Sequence, residues 1–202
     1  DWKPKYPDPW NTIDIDEDLE VSELRLNARR PFRQGNTEQN HAMRSWLRAH
    51  LAKLPKDWDV LELFAGSGNF TEVIAESGFS KICAAEVVDD SLVALRAKNL
   101  PGVTTVASDL FFDEAYPKIK KIFPKAELLI LDPPRDGLKE KAGLLASYPD
   151  LRAIASISCD VGTFTRDLAD FAAAGFRVVE LQPLDQFPHT PHIEILAWLE
   201  RD

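Results

Sequence analysis

The chain has 202 residues, 45% of them hydrophobic and 28% charged, which is enough for one globular domain with a full core and excludes disordered and fibrous classes. No apolar run reaches the length of a membrane span, and the acidic, proline-containing start resembles neither a signal peptide nor an amphipathic presequence, so the expected location is the cytoplasm. A net charge of -9 argues against a nucleic-acid partner, because binding to phosphate draws on Lys and Arg.

Residues 1–40 read as an N-terminal arm or linker, possessing little periodicity and punctuated by Pro4, Pro7 and Pro9. An acidic stretch from Asp14 to Glu20 is followed by Arg25, Arg29, Arg30 and Arg33, with Arg44, Arg48 and Lys53 beyond. This basic strip is either a phosphate-binding surface or a solvated face making salt bridges, and both readings stay open. The chain opens on Asp1 and reads as a fragment whose upstream domain carries the missing positive charge.

From His41 to residue 202 helical and strand patterns alternate. Met43, Trp46, Leu47 and Leu51 share one helical face; strands are predicted at 60–64, 81–87, 103–106, 126–131, 151–157, 177–181 and 192–198, with helices at 70–75, 91–98 and 163–173. Such alternation predicts a Rossmann-like α/β fold: a mostly parallel seven-stranded sheet, helices on both faces, and an antiparallel hairpin at one edge. Ligands of such sheets bind beyond the carboxyl ends of the strands. Glu62, Glu86, Asp109, Asp132 and Cys159 are expected on that rim, joined by Glu194 from the reversed last strand.

After the first strand, Gly66 and Gly68 let the backbone approach a ligand, but Thr71 stands where a dinucleotide fingerprint requires a third glycine. Glu86, at the end of the second strand, suits the two hydroxyls of a ribose, and Asp109 suits an adenine amino group or, alternatively, a helix cap. Cys83 reads as a buried small hydrophobe, and both cysteines as free thiols. His189 and His192 lack a third ligand at metal spacing, so no metal is expected.

The run Glu62-Leu63-Phe64-Ala65-Gly66-Ser67-Gly68 with Glu86 resembles the class I S-adenosylmethionine-dependent methyltransferases over residues 41–202. Four further segments resemble the RNA (uracil-5-)-methyltransferases of the TrmA and RumA type: Phe32-Arg33-Gln34-Gly35-Asn36, Asp132-Pro133-Pro134-Arg135, Ser158-Cys159-Asp160 with Arg166-Asp167, and Leu184 to Glu194. The resemblance implies Gln34, Phe64, Gly66, Gly68, Asn69, Glu86 and Asp109 as cofactor-binding positions and Asp132 between cofactor and base. It implies Cys159 as the nucleophile, Glu194 as the general base, S-adenosylmethionine as the cofactor, and a uridine of rRNA or tRNA as the target. This chain departs from the family at Ser156, usually tyrosine, and at Asp160-Val161, usually Asn-Pro.

Such chemistry needs these residue types. C5 of uracil is a weak nucleophile until a thiolate adds to C6; a base must then remove the C5 proton. Two rival readings remain: methylation of an amino group, whose Asp-Pro-Pro motif is followed by an aromatic residue where this chain has Arg135, and a non-catalytic module that binds RNA or cofactor.

Overall fold

The computed structural model describes residues 36–186, 189, 190 and 193–201. Gln34, the strip from Arg25 to Arg33, and His192 lie outside the described residues.

Asn36 opens helix α1 (Thr37–Leu51), its side chain accepting from the Gln39 N–H at 3.2 Å, so the helix starts ahead of the expected His41. There follow β1 (Val60–Leu63), α2 (Asn69–Glu76), β2 (Ile82–Glu86), α3 (Asp89–Ala97), β3 (Val103–Ala107), α4 (Ala115–Ile122), β4 (Leu128–Leu131), α5 (Lys141–Ser147), β5 (Ala153–Ser158), α6 (Val161–Ala173), β6 (Arg177–Leu184) and β7 (Glu194–Glu200). All seven strands expected from the sequence are present, in the order β3-β2-β1-β4-β5-β7-β6. Strand β7 is antiparallel to both neighbours: β5 and β6 run the same way, and β7 fills the gap between them in reverse. The hairpin thus forms as expected, with β6 outermost.

Sheet side chains alternate between two cores because the strand repeat is two residues. Leu61, Leu63, Leu129, Leu131 and Ile154 face α4, α5 and α6, meeting Tyr116, Ile119, Leu144, Phe164 and Phe171. Val60, Leu128, Ile130, Ala155 and Ile157 face the other way, onto Met43, Leu47 and Leu51 of α1 and Phe70, Val73 and Ile74 of α2. Each such fully buried aliphatic side chain stabilises the fold by about 1.5–3 kcal/mol relative to exposure.

Helices α4 and α5 have no counterpart among the sequence expectations. Pro117 sits in the first turn of α4, where a missing N–H is tolerated, but it reads as a breaker in sequence. In α5 the buried face consists of Lys141 and Leu144, and a lysine on the inner face erases the apolar period.

The same alternation places the chemistry. Continuing the residues of the α1–α3 face toward the carboxyl ends gives Glu62 after Val60, Asp132 after Ile130, and Cys159 after Ile157. Strand order turns at β1 and β4, the crevice where such sheets take ligands.

Candidate active site

A cavity of about 920 Å³ opens over these strand ends, of a size suited to a cofactor. Phe64, Gly66, Asn69, Glu86, Asp109, Asp132, Cys159 and Glu194 all line it. Its first half is built on the turn after β1. Phe64 adopts φ 61 and Gly66 φ 53, left-handed values that cost a non-glycine residue energy and mark a backbone shaped for a site. A Cβ at Gly66 would meet nothing within 4 Å, so this glycine leaves open space on the cavity side. Gly68 differs: it is not part of the cavity lining, and a Cβ there would lie 2.4 Å from Leu95 Cδ1. Here the lack of a side chain lets the turn pack against Leu95 of α3.

Glu86 ties the turn down. Its carboxylate accepts from the Gly66 N–H at 2.9 Å and from the Val87 and Val88 N–H groups at 2.7 and 2.9 Å. A carboxylate has about four acceptor positions, so capacity for a ribose hydroxyl remains. Asp109 lines the cavity and accepts from the Phe111 N–H at 3.0 Å, closing a turn; it does not cap a helix, since α4 starts only at Ala115 after Glu114. Phe111 packs 6.0 Å from Phe64, ring centre to ring centre, and Asn69 is held by Asn40 and Arg44 from α1. Sequence reasoning missed Asn40 and Phe111 because neither belongs to a glycine or carboxylate pattern.

Glu62 also departs from expectation. It is 2% exposed and accepts from the Thr71 hydroxyl at 2.6 Å, beneath the rim rather than on it. The residue that displaces the third glycine is therefore the partner that satisfies a buried carboxyl. Burial, opposed by the Thr71 hydrogen bond and aided by Asp132, pushes Glu62 up to about 8.

At the other end of the cavity stand Asp132, Pro133, Pro134, Arg135, Cys159 and Glu194. The last β5–β7 pair is Ser158 with Ile195; Cys159 directly follows β5 and Glu194 opens β7, so both stand at this end of the strand pair and line the cavity. Burial raises Glu194 to about 7, and burial with the Glu194 charge raises Asp132 to about 8. The Cys159 thiol is also pushed up, by burial and then by Glu194, while a hydrogen bond with Arg135 and its positive charge pull the other way. Cys83, by contrast, is fully buried and raised to about 12 by desolvation, the inert thiol expected.

A family model for tRNA (uracil-5-)-methyltransferases matches residues 11–106 and 118–202. The chain belongs to that family. An uncharacterised RNA methyltransferase of Nitrosomonas europaea is 45% identical over 197 residues, covering 98% of this chain and 50% of that protein. The 23S rRNA (uracil(1939)-C(5))-methyltransferase RlmD of Halomonas elongata is 34% identical over 175 residues, 84% of this chain and 36% of that protein. The chain thus spans about half or less of the length of these relatives. In fold it is similar to the Pyrococcus abyssi tRNA (uracil-54, C5)-methyltransferase in complex with S-adenosyl-L-homocysteine, with a TM-score of 0.60 at 23% identity over 84% of this chain and 40% of that one.

Within the family frame the two departures have different structural settings. Asp160 is the N-cap of α6, its carboxylate accepting from the Thr163 N–H at 2.8 Å. Ser156 is buried in β5 between Leu131 and Ala197. The unmatched stretch between the two family segments holds Asp109 and Phe111, both in the cavity lining, with Phe111 packed on Phe64 of the glycine turn.

Proposed function

We propose that this chain is the catalytic part of an S-adenosylmethionine-dependent enzyme that methylates C5 of a uridine in rRNA or tRNA through a covalent bond from Cys159 to C6. The observation carrying this reading is that Cys159, Glu194, Asp132 and Arg135 line one end of the cavity whose other end is built by Gly66, Glu86 and Asp109. The open space at Gly66 and the carboxylates of Glu86 and Asp109 fit the backbone contact, ribose and adenine of the cofactor. Bound there, S-adenosylmethionine supplies an electrophilic methyl group.

The residues of the chain then act in sequence. The Cys159 thiolate adds to C6 and the C5–C6 double bond opens to an enolate, whose C5 would take the methyl group as the sulfonium S–CH3 bond breaks and S-adenosylhomocysteine leaves. Arg135 favours the attacking thiolate through its charge, and Asp132, raised to about 8, is protonated near neutral pH and offers a donor on the cavity wall. Glu194, titrating near 7, then removes the C5 proton; the C5–C6 double bond re-forms and the thiolate leaves. A carboxylate at its ordinary value would be a weaker base. The target uridine is unstacked, since a paired base cannot reach the cavity. Residues 1–40 are read as an arm whose arginines contact phosphates, with 41–202 as the methyltransferase domain.

Two substitutions test the mechanism by failing differently. Cys159→Ala is expected to form neither product nor adduct while still binding S-adenosylmethionine. Glu194→Gln is expected to accumulate a methylated protein–RNA adduct, seen by denaturing electrophoresis with labelled methyl donor and RNA from cells lacking the gene. Full methylation by Cys159→Ala would refute the covalent route and favour methylation of an amino group; normal turnover by Glu194→Gln would remove the base assignment alone.

A further inference from the structure

The loop from β4 to α5 carries Asp132 and Arg135, and its far side is gripped by α6. The Leu138 N–H donates to Asp167 Oδ2 at 2.9 Å; Lys141 Nζ donates to Asp167 Oδ1 and to the Leu138 carbonyl, both at 2.8 Å. Arg166 Nη2 donates to the Asp136 carbonyl at 2.9 Å. Lys141 and Asp167 are 7% and 6% exposed, and Lys141 also pairs with Asp170 at 3.0 Å. The loop approaches so closely that a Cβ at Gly137, which has φ +69, would lie 2.6 Å from Arg166 Nη2 and 2.8 Å from Asp167 Oδ2.

A buried ion pair is weak evidence for stability, since apolar replacements of the same volume often do as well. Its directional hydrogen bonds, however, fix geometry. Helix α6 begins at the nucleophile: Asp160 caps it and Cys159 immediately precedes it. Roughly 10 Å further along this helix, at 1.5 Å per residue, Asp167 holds the loop that brings Arg135 back to Cys159. One rigid helix therefore carries the thiol at its start and grips the loop bearing the cation that serves it.

We propose that the buried Lys141–Asp167 pair registers the Asp132–Arg135 loop against Cys159, making Asp167 a positioning residue for attack on the base although it does not line the cavity. The inference rests on the reading of Cys159 as the nucleophile. Pro133 and Pro134 stiffen the loop, so a shift at Asp167 is transmitted to Arg135 rather than absorbed. Small misplacements of such a group are costly to reaction.

The test is the pH dependence of iodoacetamide alkylation of Cys159, measured on the whole chain without RNA; buried Cys83 does not contribute, and Cys159→Ser supplies the blank. Asp167→Asn is expected to move the alkylation midpoint up by about one pH unit, as Arg135→Ala does by removing the cation. The double substitution is expected to match Arg135→Ala alone, because both act through one contact. Affinity for S-adenosylmethionine, set by the glycine turn, stays within about threefold. If Asp167→Asn does not fold, Gly137→Ala presses on the same clamp without stranding a charge, and the same upward shift is expected. A folded variant with an unmoved midpoint, or a double substitution whose shift is the sum of the singles, overturns the proposal. Because no RNA is present, this outcome is separate from that of the methylation assay: a Cys159→Ala protein that still methylates would refute the nucleophile and leave the midpoints as they were.

Discussion

Asp160 follows Cys159, the proposed nucleophile, and satisfies the open end of α6, accepting from the Thr163 N–H at 2.8 Å and from the Thr163 hydroxyl at 3.1 Å. Aspartate and asparagine cap helices about equally well, and a negative charge at a helix N-terminus is favoured by the peptide dipoles. The family departure at this position therefore preserves the structural task. Asp160→Asn is expected to leave stability within about 0.5 kcal/mol, whereas Asp160→Ala loses about 1 kcal/mol with the cap. Urea denaturation of the two variants checks this; equal losses would mean that the charge, and not the cap, is what α6 requires.

The strand–turn–helix unit β1–α2 divides its two glycines between different tasks. Gly68 has φ +88 and Leu95 Cδ1 2.4 Å from a prospective Cβ, so Gly68→Ala combines backbone strain with overpacking and is expected to cost about 2–4 kcal/mol of stability. Gly66 has φ +53 and free space, so Gly66→Ala carries only the left-handed penalty of about 1–2 kcal/mol. In the proposed cofactor site, its methyl group would fill space open in the turn. Calorimetry on Gly66→Ala is expected to show S-adenosylmethionine affinity down at least about tenfold, the equivalent of 1.4 kcal/mol. Full affinity in that variant would remove the turn from the cofactor site. Element α5 illustrates the opposite limit of legibility: its inner face includes Lys141, whose burial is offset by the Asp167 and Asp170 carboxylates on α6 and by the Leu138 carbonyl.

For the whole molecule, three carboxyls on one face of the sheet, Glu62 and Glu194 buried and Asp132 partly so, set a dependence of stability on pH. Glu62, Asp132 and Glu194 are raised to about 8, 8 and 7. Below about pH 4.5 each is protonated whether the chain is folded or not, and the shifts have no effect. As pH rises, the unfolded chain releases these protons first, so stability falls from about pH 4.5 until the folded groups ionise near 7 to 8. Glu62→Gln removes a buried titrating carboxyl outside the cavity lining while keeping an acceptor for Thr71. Its stability is expected to equal that of the parent chain near pH 4 and exceed it by on the order of 2–4 kcal/mol at pH 8.5. Parallel urea curves at both pH values, with a constant offset, would show that Glu62 does not titrate in this window.

The strand positions, the glycine turn and the order of the chemical residues were legible in the sequence, because alternation, apolar runs and turn residues are local signals that tertiary packing here reinforces. The reading of Glu62 as a rim residue was not settled locally: a carboxylate looks the same whether it faces a ligand or a neighbouring helix, and its bond from Thr71 places it beneath the rim. The nearness of Cys159 and Glu194 at one end of the cavity depends on β5 pairing with β7, and the place of Arg135 depends on a clamp from α6. These are contacts between segments distant along the chain, fixed by which strands pair and which side chains share a buried charge, and no local propensity encodes them.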